Sequence, residues 1–348
     1  MGLVHKTIAN FIKKLRRGTS QSSTAFKPGP LENMVMADGP LPPEYTPLIA
    51  PVWLPAQNAK HMRRDDPVLG LLADGAQYAL PWWIMKNHHV ANLTLEGRPI
   101  VVKLCELCSS AAAFNPVVQG ARLTFQVIGA YKGTFVTRDF ETHSIWAPFT
   151  GECLTGPLQG KKLAQLPLYQ STWKEWVGLY PKSLVPDGLG ESRKGHGAAF
   201  YPGSADSETG LNETLVHRDG RLPYNELVLG VKSGKYARAY PLARLHQLGP
   251  VLNDALDLRK IAIFSKPQSW MAMAFAREVD GECLDFEVNK YGNILDRDTK
   301  SLWDLSGRAI SGPLAGRTLS FIPSLVEEWY AWASYYPDTE IFDGPNHP

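Results

Sequence analysis

Apolar and polar residues alternate in short runs along most of this chain, and a helical period rarely lasts more than two turns. Residues 66–72 and 76–80 are apolar-rich runs split by Asp74-Gly75, which predicts a β-hairpin. Pro81 to Val90 then predicts a short helix, and Arg98-Pro-Ile-Val-Val-Lys-Leu104, Ala111-Ala-Ala-Phe114 and Leu123-Thr-Phe-Gln-Val127 follow with strand spacing. An amphipathic helix with paired tryptophans, Trp173 and Trp176, closes this stretch behind a capping box, Thr172-x-x-Glu175. A second box, Ser324-x-x-Glu327, predicts the same start for the helix carrying Trp329 and Trp332.

The pattern repeats. Val68-Leu-Gly-Leu…Tyr78-Ala-Leu-Pro81 recurs as Val228-Leu-Gly-Val…Arg238-Ala-Tyr-Pro241, an offset of 160 (241 − 81). Ser144-Ile-Trp146 recurs as Ser301-Leu-Trp303, and Gly156-Pro-Leu-Gln-Gly160 as Gly312-Pro-Leu-Ala-Gly316. The expected fold is therefore α+β and β-rich: two tandem pseudo-repeats, each with antiparallel strands and a C-terminal amphipathic helix. The expected domains are an arm over residues 1–31, a first repeat over 60–185, a connector over 186–221 and a degenerate second repeat over 222–343.

Composition narrows the class without naming it. A net charge of +2 and no basic stripe interleaved with aromatics predict no nucleic-acid partner. Four cysteines do not make a secreted disulfide scaffold, and cytoplasmic localisation is expected. Residues 1–31 are different: six Lys or Arg and no acid. Within residues 3–16, Leu3, Val4, Ile8, Phe11, Ile12 and Leu15 form one apolar stripe flanked by cations. That pattern fits a helix on the inner face of a membrane, a helix docked on this protein or a partner protein, or a targeting segment.

The candidate chemistry lies where the repeats differ. Cys105-Glu-Leu-Cys108 faces Lys266-Pro-Gln-Ser269, and His88 falls near Gly249, so three potential ligands vanish together. Two thiolates two residues apart bind a soft or borderline metal, or close a small disulfide ring. Cys105, Cys108 and His88 are the expected ligands of one transition metal ion: copper, zinc or iron. His89 and Cys153, the latter set against Ile310, are the candidate catalytic residues. Trp82, Trp83 and Tyr131 are the candidate pocket for a hydrophobic substrate.

Ala237-Arg-Ala-Tyr-Pro-Leu242, Asn253-Asp254, Arg297-Asp-x-x-x-Ser301-Leu-Trp303 and Gly312-Pro-Leu-Ala-Gly316 together resemble a bacterial and archaeal family, domain of unknown function 3179. The resemblance covers roughly residues 60–343. Its members typically carry Cys-Pro-Leu-Cys-Gly-Ser-Ala after Trp-His-Glu-x-x-Asn-Asp. Here the matching residues are Cys105-Glu-Leu-Cys108-Ser-Ser-Ala and Asn87-His88-His89-Val-Ala-Asn92-Leu. The resemblance implies the Cys and His positions and no settled activity. From the residues themselves, the expected function is a metal-dependent redox enzyme. The alternatives are a non-catalytic metal carrier or assembly factor, and a thiol–disulfide oxidoreductase.

Overall fold

Short alternating runs can bury only one face each, so the chain stacks them as sheets. The structure is a computed structural model and describes residues 25–39, 45–188 and 212–344. The expected membrane-facing helix at residues 3–16 lies outside these residues. The described chain is β-rich, with mostly antiparallel sheets and four α-helices of seven residues each. The helices are α1 (Trp82–His88), α2 (Trp173–Leu179), α3 (Leu242–Leu248) and α4 (Trp329–Tyr335).

The first hairpin pairs Pro67–Ala73 with Ala76–Pro81. Asp74 and Gly75 both take positive φ, 44° and 88°, the hand that matches the twist of the flanking strands. This hairpin sits in a sheet ordered Tyr169–Thr172, Pro67–Ala73, Ala76–Pro81, Leu184–Pro186 and Trp53–Pro55. Later in the chain a sheet runs Ser324–Glu328, Leu227–Ser233, Tyr236–Pro241 and Glu340–Ile341. The corresponding strands are joined in the same order.

The next sheets also correspond. Ala164–Leu166, Ser110–Asn115, Arg98–Cys105 and Val90–Leu95 are matched by Phe321–Ile322, Ala272–Ala276, Arg259–Ser265 and Val251–Leu256. In both, an asparagine side chain clamps the strand that follows. Asn92 donates to the Phe125 carbonyl at 2.9 Å and accepts from its N–H, and Asn253 does the same with Phe286 at 2.7 Å. A meander then ends each series, with Trp146 Nε1 donating to Asp139 and Trp303 Nε1 donating to Asp296.

Each closing helix packs between its own hairpin and the other half. One core packs Trp173 and Trp176 of α2 against Phe264, Phe275, Phe286 and Trp303 of the second half. Another packs Tyr330 and Ala331 of α4 against Cys105, Cys108, Phe114 and Phe125 of the first. Gly70 and Gly230 make this possible, because a β-carbon on either overlaps the ring of Trp176 or Trp332.

Two expectations are corrected. The Thr172–Glu175 capping box is present, but Ser324-x-x-Glu327 is not a cap. Ser324 to Glu328 stay extended because they pair with Leu227–Val231, and α4 starts at Trp329 with no side-chain cap. α4 is not amphipathic: residues 329 to 334 are all buried, since the first half covers the side that a lone repeat leaves open. Ala25–Pro28 pairs with Val35–Asp38 on the first meander, and Thr214 accepts from the N–H groups of Lys132 and Gly133 at 2.9 Å.

Candidate functional site

The strand Arg98–Cys105 separates two cores by its period of two. Ile100, Val102 and Leu104 enter one, while Val101 and Cys105 enter the other. Cys105 forms the last ladder pair with Ser110, and Glu106 to Ser109 make the turn between them. Ser109 takes φ +51°, which bends the loop inward. Both thiols are free and buried, with Cys108 fully inaccessible. Burial, reinforced by the neighbouring Cys105 thiol, pushes the Cys108 thiol well above its ordinary pKa.

The other half of the chain holds this loop. Tyr330 Oη donates to the Leu107 carbonyl at 3.2 Å and the Glu328 N–H donates to the Cys108 carbonyl at 3.0 Å. Gln170 Nε2 bridges the Ser109 and Val326 carbonyls at 3.2 and 2.7 Å. Ser109 Oγ and Ser110 Oγ donate to the carboxylates of Glu328 and Glu327, each at 2.9 Å. Burial raises these acids to about 7 and about 8 respectively, with the serine hydrogen bonds opposing the shift.

Lys103 projects on the same strand face as Val101 and Cys105 and is fully buried. Its Nζ donates to Thr137 Oγ1 at 3.0 Å and lies 4.3 Å from the Phe125 ring centre. Burial pulls this ammonium down to about 7, with Asp139 opposing. In the second half the ladder places Phe264 where Lys103 stands and Ile294 where Thr137 stands. The framework of Phe125, Phe114 and Trp146 against Phe286, Phe275 and Trp303 is kept, and the polar pair differs within it.

The histidines separate. His88 Nδ1 lies 2.5 Å from the Thr46 carbonyl oxygen. His89 is the buried one: its Nδ1 is 3.1 Å from the Leu104 carbonyl oxygen and 3.3 Å from Glu106 Oε2. Its ring stacks on Tyr45 at 5.1 Å and tilts against Phe135 at 5.6 Å. His89 ends α1 with φ +57°, a left-handed position that the matching end of α3 gives to Gly249. Counted from the helix end Gly249 matches His89, and counted from the following ladder it matches His88, since the Leu104 N–H donates to the His89 carbonyl as the Ser265 N–H donates to that of Pro250. Cys153 is buried in the same core as the thiol pair, and burial raises its pKa. Its positional partner is Ala309 rather than Ile310, since Trp146 pairs with Cys153 as Trp303 pairs with Ala309.

Trp82, Trp83 and Tyr131 are not brought together. Trp82 is buried in the core under the first hairpin, Trp83 meets His61 edge-on at 6.1 Å, and Tyr131 packs beside Met34, Ile128 and Val136. Among the described residues, no group of three or more His, Cys, Asp or Glu side chains is arranged to hold a metal ion. No helix among them is long and apolar enough to cross a membrane.

Glu327, Glu328, Tyr330 and Lys103 are the residues the sequence reading missed. A signal existed for three of them. Glu327-Glu328 stand where the first half has Ser171-Thr172, and Lys103 faces Phe264, so a comparison of the halves at every polar position finds them.

The fold and site define a β-rich protein with a buried thiol pair at the seam of two similarly ordered halves. The chain belongs to the family described as protein of unknown function (DUF3179), whose model matches residues 45–339. No curated protein and no solved structure matches it.

Proposed function

We propose that the Cys105–Cys108 loop is a soft-metal site which binds copper(I) through its two thiolates, and that the chain carries or transfers this ion. The observation that carries the proposal is the pair itself: two buried thiols at either end of one turn, without a third ligand arranged beside them among the described residues. Structural zinc takes four protein ligands and catalytic zinc three. Copper(I) is soft, favours thiolates and is stable with two of them. A metal-dependent redox enzyme needs a further open position for substrate, and the burial of Cys108 speaks for storage rather than turnover.

The proposal includes a tandem duplication, with residues 60–185 and 222–343 as its copies and the second copy degenerate at the site. In support, strand order, the Gly70/Gly230 contacts, the asparagine clamps and the Asp–Trp pairs recur at matching positions.

Anaerobic titration with copper(I) against a chromophoric copper(I) chelator tests the reading. One equivalent is expected to bind, and Cys105→Ser or Cys108→Ser is expected to abolish it. Equal copper retention by the Cys105→Ser/Cys108→Ser double variant overturns it. Reversible closure of a disulfide, indifferent to copper, assigns the pair to thiol–disulfide exchange instead.

A further inference from the structure

A groove of about 330 Å³ opens at the seam of the halves, on the face that carries the thiol pair's half of the molecule. That volume lies at the lower end of the range for small-molecule sites, about 300–1,000 Å³. Its walls are apolar and aromatic: Phe149 and Leu163 from the first half, Leu325, Trp332 and Tyr336 from the second. Each half also contributes a lysine, Lys162 and Lys232. Lys162 pairs with Glu152 at 3.1 Å, and Lys232 Nζ donates to the Gly234 carbonyl. Burial and then the charge of Lys162 lower the Lys232 pKa, while Glu152 opposes. Both lysines line the groove and Lys162 is paired with Glu152, so two cations stand there with one carboxylate and attract an added anion.

Among the described residues, the corresponding positions of the other half lack this arrangement. The bridge Glu152–Lys162 is matched there by Arg308–Thr318, and the pair Lys232–Ala237 by Leu72–Gln77. Both lysine positions are thus uncharged, and Leu305, Phe321 and Tyr180 pack against the core. The lysine pair is therefore a feature of this groove and not of its counterpart.

We propose that this groove binds a small amphipathic carboxylate, its chain or ring against Leu325 and Tyr336 and its anionic head beside Lys162 and Lys232. The site is independent of the copper reading, since it uses neither thiol.

The test is isothermal titration of the full chain at low salt with 3-phenylpropionate and with its uncharged counterpart, 3-phenylpropanol. One saturable site is expected, with the acid at least tenfold tighter than the alcohol. Lys232→Leu, which installs the side chain found at the matching position 72, is expected to weaken the acid at least fivefold and leave the alcohol unchanged. Leu325→Trp, which fills the groove, is expected to remove both. Equal binding of acid and alcohol, no saturable binding, or an unchanged acid affinity in a Lys232→Leu variant of unaltered melting temperature overturns the proposal.

Discussion

Two hairpin loops occupy corresponding places in this molecule. Cys105–Ser110 and Lys266–Met271 each join the middle strand of a sheet to its neighbour, and each meets the start of the other half's closing helix. The second is an ordinary surface contact, in which Lys266 Nζ pairs with Glu175 of α2 at 3.1 Å. The first is buried: two thiols and two carboxylic acids meet, and burial favours the uncharged forms of Cys108, Glu327 and Glu328. An ion pair at the surface adds little to stability, whereas buried acids with raised pKa values are a cost to the fold. A scaffold that tolerates Lys-Pro-Gln-Ser at this turn does not need two buried acids there for folding. The difference separates what the architecture requires from what it carries.

The largest effect is expected where the halves are alike. Gly70→Ala and Gly230→Ala each force a β-carbon into a tryptophan ring, at about 3 kcal/mol each by overpacking. Chemical denaturation measures both, and a large loss from one glycine alone breaks the equivalence of the two helix contacts.

A pH dependence separates the halves next. Glu327 and Glu328 hold protons in the fold up to about 8 and about 7, against an ordinary value of 4.5. The folded state therefore binds more protons than the unfolded chain between about 4.5 and 8, and their contribution to stability falls as pH rises through that window. Lys103, lowered from 10.5 to about 7, acts in the opposite direction between those values. Denaturation midpoints at pH 5 and 6.5, below the Lys103 window, isolate the acids, and Glu327→Gln/Glu328→Gln is expected to flatten the decline. An equally steep decline in the variant removes these carboxyls as its cause.

The buried polar pair gives a smaller effect of the opposite sign. Lys103→Met with Thr137→Val imitates the apolar second half and is expected to stabilise the protein by about 1–2 kcal/mol, because the cost of burying the amine disappears. A marked loss instead makes Lys103 part of the structural frame. Cys153→Ala is expected to do least, about 1 kcal/mol or less, with copper binding unchanged, since Ala309 fills the same place in the second half. Loss of copper in that variant adds Cys153 to the site.

Local residues announced the first hairpin, α1, the strand before the thiols and the Thr172 cap, because turn chemistry and a period of two or 3.6 are short-range properties. Ser324 misled because the same Ser-x-x-Glu spacing serves a strand when a neighbouring strand claims its backbone. Which of two adjacent histidines faces the loop was equally hidden: it turns on the left-handed φ of His89 at the end of α1.

The sequence alone determined the strand-and-turn grammar, the recurrence of its motifs and the position of the Cys pair within one stretch only. Tertiary structure decided the company those thiols keep. Glu327, Glu328 and Tyr330 lie more than 200 positions further along the chain and reach the loop because the strand Ser324–Glu328 and the helix after it pack against the first half. Periodicity reports which face of an element is buried. It does not report what is buried against it, and the chemistry of a site at a seam is set by that second fact.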